Sequence, residues 1–139
     1  MVTKTFVLDS FAVLALLGKE PGSQEVVDLL RKAQEGEIRA LMTWVNAGEV
    51  AYILERRWGV ERLYAALAVM EATALEIVSV ERELTLMAAH IKAKHAIAYA
   101  DTFAAALAQQ CAATLVTGDP EFELLEGVLD IHWLPQHKS

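Results

Sequence analysis

Thr5-Phe6-Val7-Leu8-Asp9-Ser10 sets a carboxylate directly after a run that reads as a buried strand. Beyond it, Phe11-Ala12-Val13-Leu14-Ala15-Leu16-Leu17 is apolar again and reads as a short helix ending at Gly18. A carboxylate between two hydrophobic runs is costly to bury unless it is hydrogen-bonded or holds a cation. The conflict is relieved if the strand ends at Asp9, so that the acid sits at the strand's C-terminal lip. In an open α/β sheet that lip is where ligands bind.

Working outward, turn signals and apolar periodicity divide the rest of the chain into alternating strands and helices. A helix is expected over residues 24–35, capped by Ser23 and stopped by Gly36. A strand over 38–42 follows. Thr43 then caps a helix running through Arg57 to Gly59, whose main apolar face is Ala47, Val50, Ala51, Leu54 and Trp58. Glu49 lies off that face, beside Val45, Asn46, Tyr52 and Ile53, so this helix is sandwiched and Glu49 faces a partly covered cleft. Further helices are expected over 60–72, 81–94 (Leu84, Met87, Ala88 and Ile91 inward) and 102–111, the last opened by Asp101. Strands are expected over 75–80, 114–117 and 131–134, with a short helix over 121–126. Small side chains at Ala104, Ala105, Ala106 and Ala108 let the 102–111 helix lie close to its neighbours. Strands alternating with helices predict a three-layer α/β fold, a mostly parallel central sheet flanked by helices. The chain reads as one domain over residues 1–135 with a short tail, 136–139.

Composition narrows the classes. The 139 residues are enough for one core without disulfides, and the apolar fraction of 55% exceeds the usual ~45–50%. No apolar run reaches the roughly 20 residues that span a bilayer. Lys4 and residues 5–17 have the length of a short signal peptide, but Asp9 in their middle argues against one. The single cysteine, Cys111, excludes an internal disulfide framework, fits a reducing cytoplasm, and reads as a small buried hydrophobe. A net charge of −7 speaks against a general phosphate-binding surface. A carboxylate cluster loaded with divalent cations, however, counts as negative in sequence and is neutral when filled.

Aspartate is scarce: Asp9, Asp28, Asp101, Asp119 and Asp130. Two strands end alike, Val7-Leu8-Asp9-Ser10 and Leu115-Val116-Thr117-Gly118-Asp119, each putting an acid and a hydroxyl at its C-terminal end. In a parallel sheet both acids share one edge. Glu49 and Asp101 are further candidates. Four carboxylates without basic partners repel one another and are stable chiefly around divalent cations. All-oxygen donors point to Mg²⁺ or Mn²⁺ rather than zinc, and His90, His95, His132 and His137 show no metal-ligand spacing. Phosphodiester hydrolysis uses such a cluster: a cation lowers the pKa of a bound water and a second steadies the leaving oxygen. Each acid also has an ordinary reading. Asp9 and Asp101 suit helix caps, Asp119 in Gly-Asp-Pro suits a turn, and Glu49 suits a solvated helix face.

Four ordered stretches resemble the PIN-domain family, and within it the VapC-type toxins of toxin–antitoxin pairs. They are Phe6-Val7-Leu8-Asp9-Ser10, Thr43-Trp44-Val45-Asn46-Ala47-Gly48-Glu49-Val50, Tyr99-Ala100-Asp101-Thr102-Phe103-Ala104-Ala105-Ala106-Leu107-Ala108, and Leu115-Val116-Thr117-Gly118-Asp119-Pro120-Glu121-Phe122. The resemblance implies that Asp9, Glu49, Asp101 and Asp119 are the acidic metal ligands and catalytic residues. It implies that Ser10 and Thr117 support the metal and its waters, that Asn46 is the small polar residue one turn before the acid, and that Glu121 is an auxiliary acid. It further implies a Mg²⁺- or Mn²⁺-dependent endoribonuclease acting on RNA in the cytoplasm. A homodimer is expected, silenced by a small antitoxin whose C-terminal segment lies in the active-site groove. Arg56, Arg57, Lys92 and Lys94 are the candidate phosphate contacts, with solvated helix faces as the ordinary reading. The apolar residues of 60–70 suit either a dimer face or core. Two other classes fit the same residues: a non-catalytic PIN-fold binding module, and a PIN nuclease of DNA or of RNA maturation.

Overall fold

The computed structural model describes residues 3–135. The expected tail, 136–139, lies outside the described residues, as do residues 1 and 2. The first strand, β1 (Lys4–Leu8), runs into helix α1 (Ser10–Leu17) with Asp9 as the hinge. Then come α2 (Ser23–Gln34), β2 (Ile38–Thr43), α3 (Trp44–Trp58), α4 (Val60–Ala72) and β3 (Leu75–Val78). The chain continues through α5 (Arg82–Lys94), α6 (Tyr99–Gln110), β4 (Thr114–Thr117), a 3₁₀ turn (Pro120–Leu125) and β5 (Asp130–Trp133).

The five strands form one sheet in the order β3-β2-β1-β4-β5, and every pairing is parallel. β1 is therefore central. The connections run to one side of it for β2 and β3 and to the other for β4 and β5. The crevice beyond the C-terminal ends of β1 and β4 is thus the topological switch point of the sheet. The ladder extends to the lip itself, where the Asp9 N–H donates to the Val116 carbonyl at 3.4 Å.

Side chains alternate across the strands and divide the core in two. Phe6, Leu8, Ala40, Met42 and Val116 pack with buried residues of α1 to α4. Val7, Leu41 and Leu115 pack with α5, α6 and the 3₁₀ residues Phe122 and Leu125 on the opposite face. Helix α3 straddles the layers: Ala47, Val50 and Leu54 join the first cluster and Val45 packs against the second. This is the sandwiched helix expected from its two unequal faces.

Several details differ from the expectations. Ser23 does not cap α2; Gly22, at φ +95°, occupies the cap position without a side-chain hydrogen bond. Trp58 is 37% exposed rather than part of the α3 core face, because the chain turns at Gly59, φ +87°, immediately beyond it. Cys111 is exposed; α6 ends at Gln110, one residue short of burying it. Within α4, Leu63, Ala66 and Met70 are core, while Val60, Tyr64 and Val69 face outward.

Gly118 has a packing reason. A Cβ there would lie 2.3 Å from the Phe11 ring, so only glycine lets the segment after β4 pass over α1. Gly118→Ala must displace the Phe11 ring or lift that segment off α1. The expected cost is about 1–3 kcal/mol, read as a lower midpoint in denaturant unfolding.

Candidate active site

Asp9 is 1% exposed, and two hydrogen bonds explain how it is tolerated. Its Oδ1 accepts from the Ala12 N–H at 2.9 Å, capping α1, and its Oδ2 accepts from the Thr117 hydroxyl at 2.5 Å. The cap reading and the site reading of Asp9 are therefore compatible, since each oxygen serves a different partner. The Thr117 hydroxyl has a second role. It accepts from the Asp119 N–H at 3.0 Å, so one buried hydroxyl positions the acids after β1 and β4 together. Asp119 in turn caps the 3₁₀ turn, its Oδ1 accepting from the Glu121 N–H at 2.9 Å.

The helices bring the remaining acids to this edge. Thr43 caps α3, as expected, and Glu49 follows two turns later, half-buried, its Oε1 accepting from the Ser10 hydroxyl. Asp101 is not the cap of α6. Ala98 holds the cap position and Asp101 lies in the first turn, 5% exposed. Every side chain from Asp101 to Ala108 is buried, so the alanine-rich helix carries its acid inward. Glu121 accepts from the Ala98 N–H, tying the 3₁₀ turn to the start of α6. That contact has no counterpart in the sequence reading, because Ala98 carries no chemistry of its own.

One carboxylate oxygen from each of Asp101, Asp119 and Glu121 lies within 4.8 Å of the others, the one such group among the described residues. Asp9 and Glu49 border this trio and interact with it electrostatically. Desolvation, opposed by its Thr117 and Ala12 hydrogen bonds and reinforced by the charges of Asp119 and Glu49, pushes Asp9 up to about 7. Desolvation and the charges of Asp119, Asp9, Glu49 and Glu121 push Asp101 up to about 8. Among the described residues no lysine or arginine relieves either acid. Five carboxylates of all-oxygen chemistry, four of them oriented by hydrogen bonds and two of them, Asp9 and Asp101, raised in pKa, fit a hard divalent cation.

Of the candidate phosphate contacts, Lys92 stands close to the trio, bonded to the carbonyl of the peptide whose N–H, that of Ala98, donates to Glu121. The Arg56 guanidinium sits over the Tyr52 ring, 5.0 Å from its centroid, on the helix that carries Glu49. Arg57 lines a cavity with Phe11, Leu14 and Glu20. Lys92 donates to the Ile97 carbonyl at 2.7 Å, and Lys94 is exposed in the last turn of α5. Among the described residues no helix is long and apolar enough to cross a membrane.

The PIN domain family profile matches residues 6–128. No curated protein sequence matches the chain. Solved structures with the same fold include VapBC2 from Rickettsia felis bound to a promoter DNA fragment, with 18% identity, TM-score 0.73, and 94% of this chain and 98% of that one covered. DNA-bound VapBC from Salmonella typhimurium superposes with 21% identity, TM-score 0.72, and 94% and 98% covered. VapC20 of Mycobacterium tuberculosis, described as a toxin that cleaves the sarcin-ricin loop, superposes with 18% identity, TM-score 0.66, and 86% and 93% covered.

Two outcomes are expected of the site. Folded-state pKa values of about 7 and 8 lie above the ordinary value of 3.8, so between these limits the folded chain holds protons that the unfolded chain has released. The stability is fully present below pH ~4 and is lost as pH rises through 7 to 8. Thermal unfolding in chelator should therefore show Tm falling from pH 5 to pH 8. Mn²⁺ should raise Tm more at pH 8 than at pH 5, and Asp101→Asn should flatten the decline. Thr117→Val, nearly isosteric, strands Asp9 Oδ2 and the Asp119 N–H, and should cost about 1–3 kcal/mol in denaturant unfolding.

Proposed function

The chain belongs to the PIN-domain family, and from that premise we propose that it is a divalent-metal-dependent endoribonuclease, the toxin of a toxin–antitoxin pair. The observation that carries the reading is the convergence of Asp9, Glu49, Asp101, Asp119 and Glu121 at the switch point of the sheet, with Asp101 and Asp9 held far above the ordinary carboxylate range by burial and by neighbouring carboxylates. Asp101, Asp119 and Glu121 present the tightest oxygen set, and Asp9 and Glu49 close its flank.

A bound Mg²⁺ or Mn²⁺ supplies an activated water and charge stabilisation at a phosphodiester. The chain's own residues prepare the place. Thr117 holds Asp9 and the Asp119 backbone in register. Ser10 holds the Glu49 carboxylate. Glu121, anchored on the Ala98 N–H, keeps the turn after β4 against the start of α6. Binding an RNA phosphate beside five acids requires cations, and that work falls to the metal and to Arg56, Arg57, Lys92 and Lys94.

The similarity in fold to VapBC structures supports a small antitoxin as partner. The outward-facing Val60, Tyr64 and Val69 on α4 support self-association as a homodimer. The single exposed cysteine and the absence of a membrane-length helix among the described residues suit the cytoplasm.

The decisive measurement is cleavage of a panel of structured and single-stranded RNAs with and without metal. Cleavage should require Mg²⁺ or Mn²⁺ and stop with chelator. Asp9→Asn and Asp101→Asn should each lower the rate by about 100-fold or more while circular dichroism shows the fold retained. Cleavage that persists in chelator, or full activity in both variants, refutes the proposal. Mn²⁺ binding without turnover of any RNA would favour the binding-module reading.

A further inference from the structure

Asn46 is fully buried, yet it is neither an acid nor part of the core clusters. Its three contacts link three elements. The Thr43 hydroxyl, at the end of β2, donates to Asn46 Oδ1 at 2.6 Å and accepts from the Asn46 N–H at 3.0 Å. Asn46 Nδ2 donates to the Ala100 carbonyl at 3.0 Å. A carbonyl only accepts, so this contact fixes which end of the amide faces α6. The arrangement spans from the sheet, through the first turn of α3, to the residue immediately before Asp101.

Other buried polar side chains at this edge act on acids directly: Thr117 on Asp9 and Ser10 on Glu49. The Asp101 side chain has no such partner among the hydrogen bonds of the described residues, and its placement depends on where the first turn of α6 is held. Helix α6 buries Phe103 and Leu107 among its alanines further along, and its first turn carries no large apolar side chain that is buried. A directional bond is the natural device for setting that turn. We propose that Asn46 is a positioning residue, tethering the Ala100 carbonyl to the β2–α3 junction so that Asp101 meets Asp119 and Glu121 at cation-binding distance. This rests on the metal-nuclease reading above, and deepens it.

An aspartate at position 46 would present an oxygen to the Ala100 carbonyl where the amide presents an N–H, and an alanine would present nothing. Both leave the Thr43 cap of α3 able to form, because that bond uses the backbone N–H of residue 46. The tether and the cap are therefore separable.

The test is Mn²⁺ affinity by calorimetry, on the full chain, for wild type, Asn46→Ala, and a stability-matched control, Met70→Ala, in the core of α4 remote from the acids. Asn46→Ala should weaken Mn²⁺ binding about 10-fold, the scale on which residues that orient ligands act. It should lower kcat on RNA while KM stays within about twofold of wild type. Met70→Ala should lose comparable Tm but keep wild-type Mn²⁺ affinity. If Asn46→Ala does not fold, Asn46→Ser, too short to reach the Ala100 carbonyl, is expected to show the same loss. Wild-type Mn²⁺ affinity in a folded Asn46 variant overturns the positioning role alone, as does an equal loss in Met70→Ala. A wild-type chain that binds no Mn²⁺ overturns the metal-nuclease reading and this inference with it.

Discussion

The structure depends on a buried aspartate at the end of its central strand. Burying Asp9 unassisted would cost several kcal/mol, and the fold answers with two donors from opposite directions: the first turn of α1 and the hydroxyl that ends β4. Those bonds join the strand, the helix after it and the neighbouring strand at one point. They do not neutralise the charge, and the pKa remains high. Geometry is satisfied and electrostatics is not, an imbalance that a divalent cation would relieve.

Hydrogen bonds hold most of the other acids as well. Glu49 is held by Ser10, Asp119 by the Thr117 hydroxyl at its backbone, and Glu121 by the Ala98 N–H. Asp101 is placed by its helix, drawn inward because alanines allow α6 to bury eight consecutive residues. Like charges so arranged destabilise the folded state in proportion to their ionisation. On the proposed function, stability and metal occupancy would be linked through pH, with a cation stabilising the fold most where its acids are most fully charged.

Asp9 and Asp119 were legible as a pair from the repeated strand-acid pattern, because each follows a strand without interruption and a parallel sheet brings strand ends together. Thr117 was legible for the same reason. Glu49 and Asp101 entered through resemblance, since periodicity alone leaves one as a surface residue and the other as a cap. The trio of Asp101, Asp119 and Glu121 was not legible as a trio: it depends on the 3₁₀ turn folding back to the Ala98 N–H, a contact between a glutamate and the backbone of an alanine. Ser23, Trp58 and Cys111 were misread for a shared reason. Each stands at a helix end, where a shift of one residue, or the direction of the next turn, decides between capping, burial and exposure.

The sequence by itself determined the alternation of strands and helices, the parallel sheet and the edge on which two acids meet. These follow from local hydrophobic period and from the position of polar residues at the ends of apolar runs. Only the tertiary structure decided which carboxylate oxygens approach one another, which hydroxyl holds which acid, and that Asn46 reaches across to Ala100. Those contacts join residues up to 108 positions apart. They depend on the twist of the sheet and the depth at which α6 packs, and no local pattern encodes either.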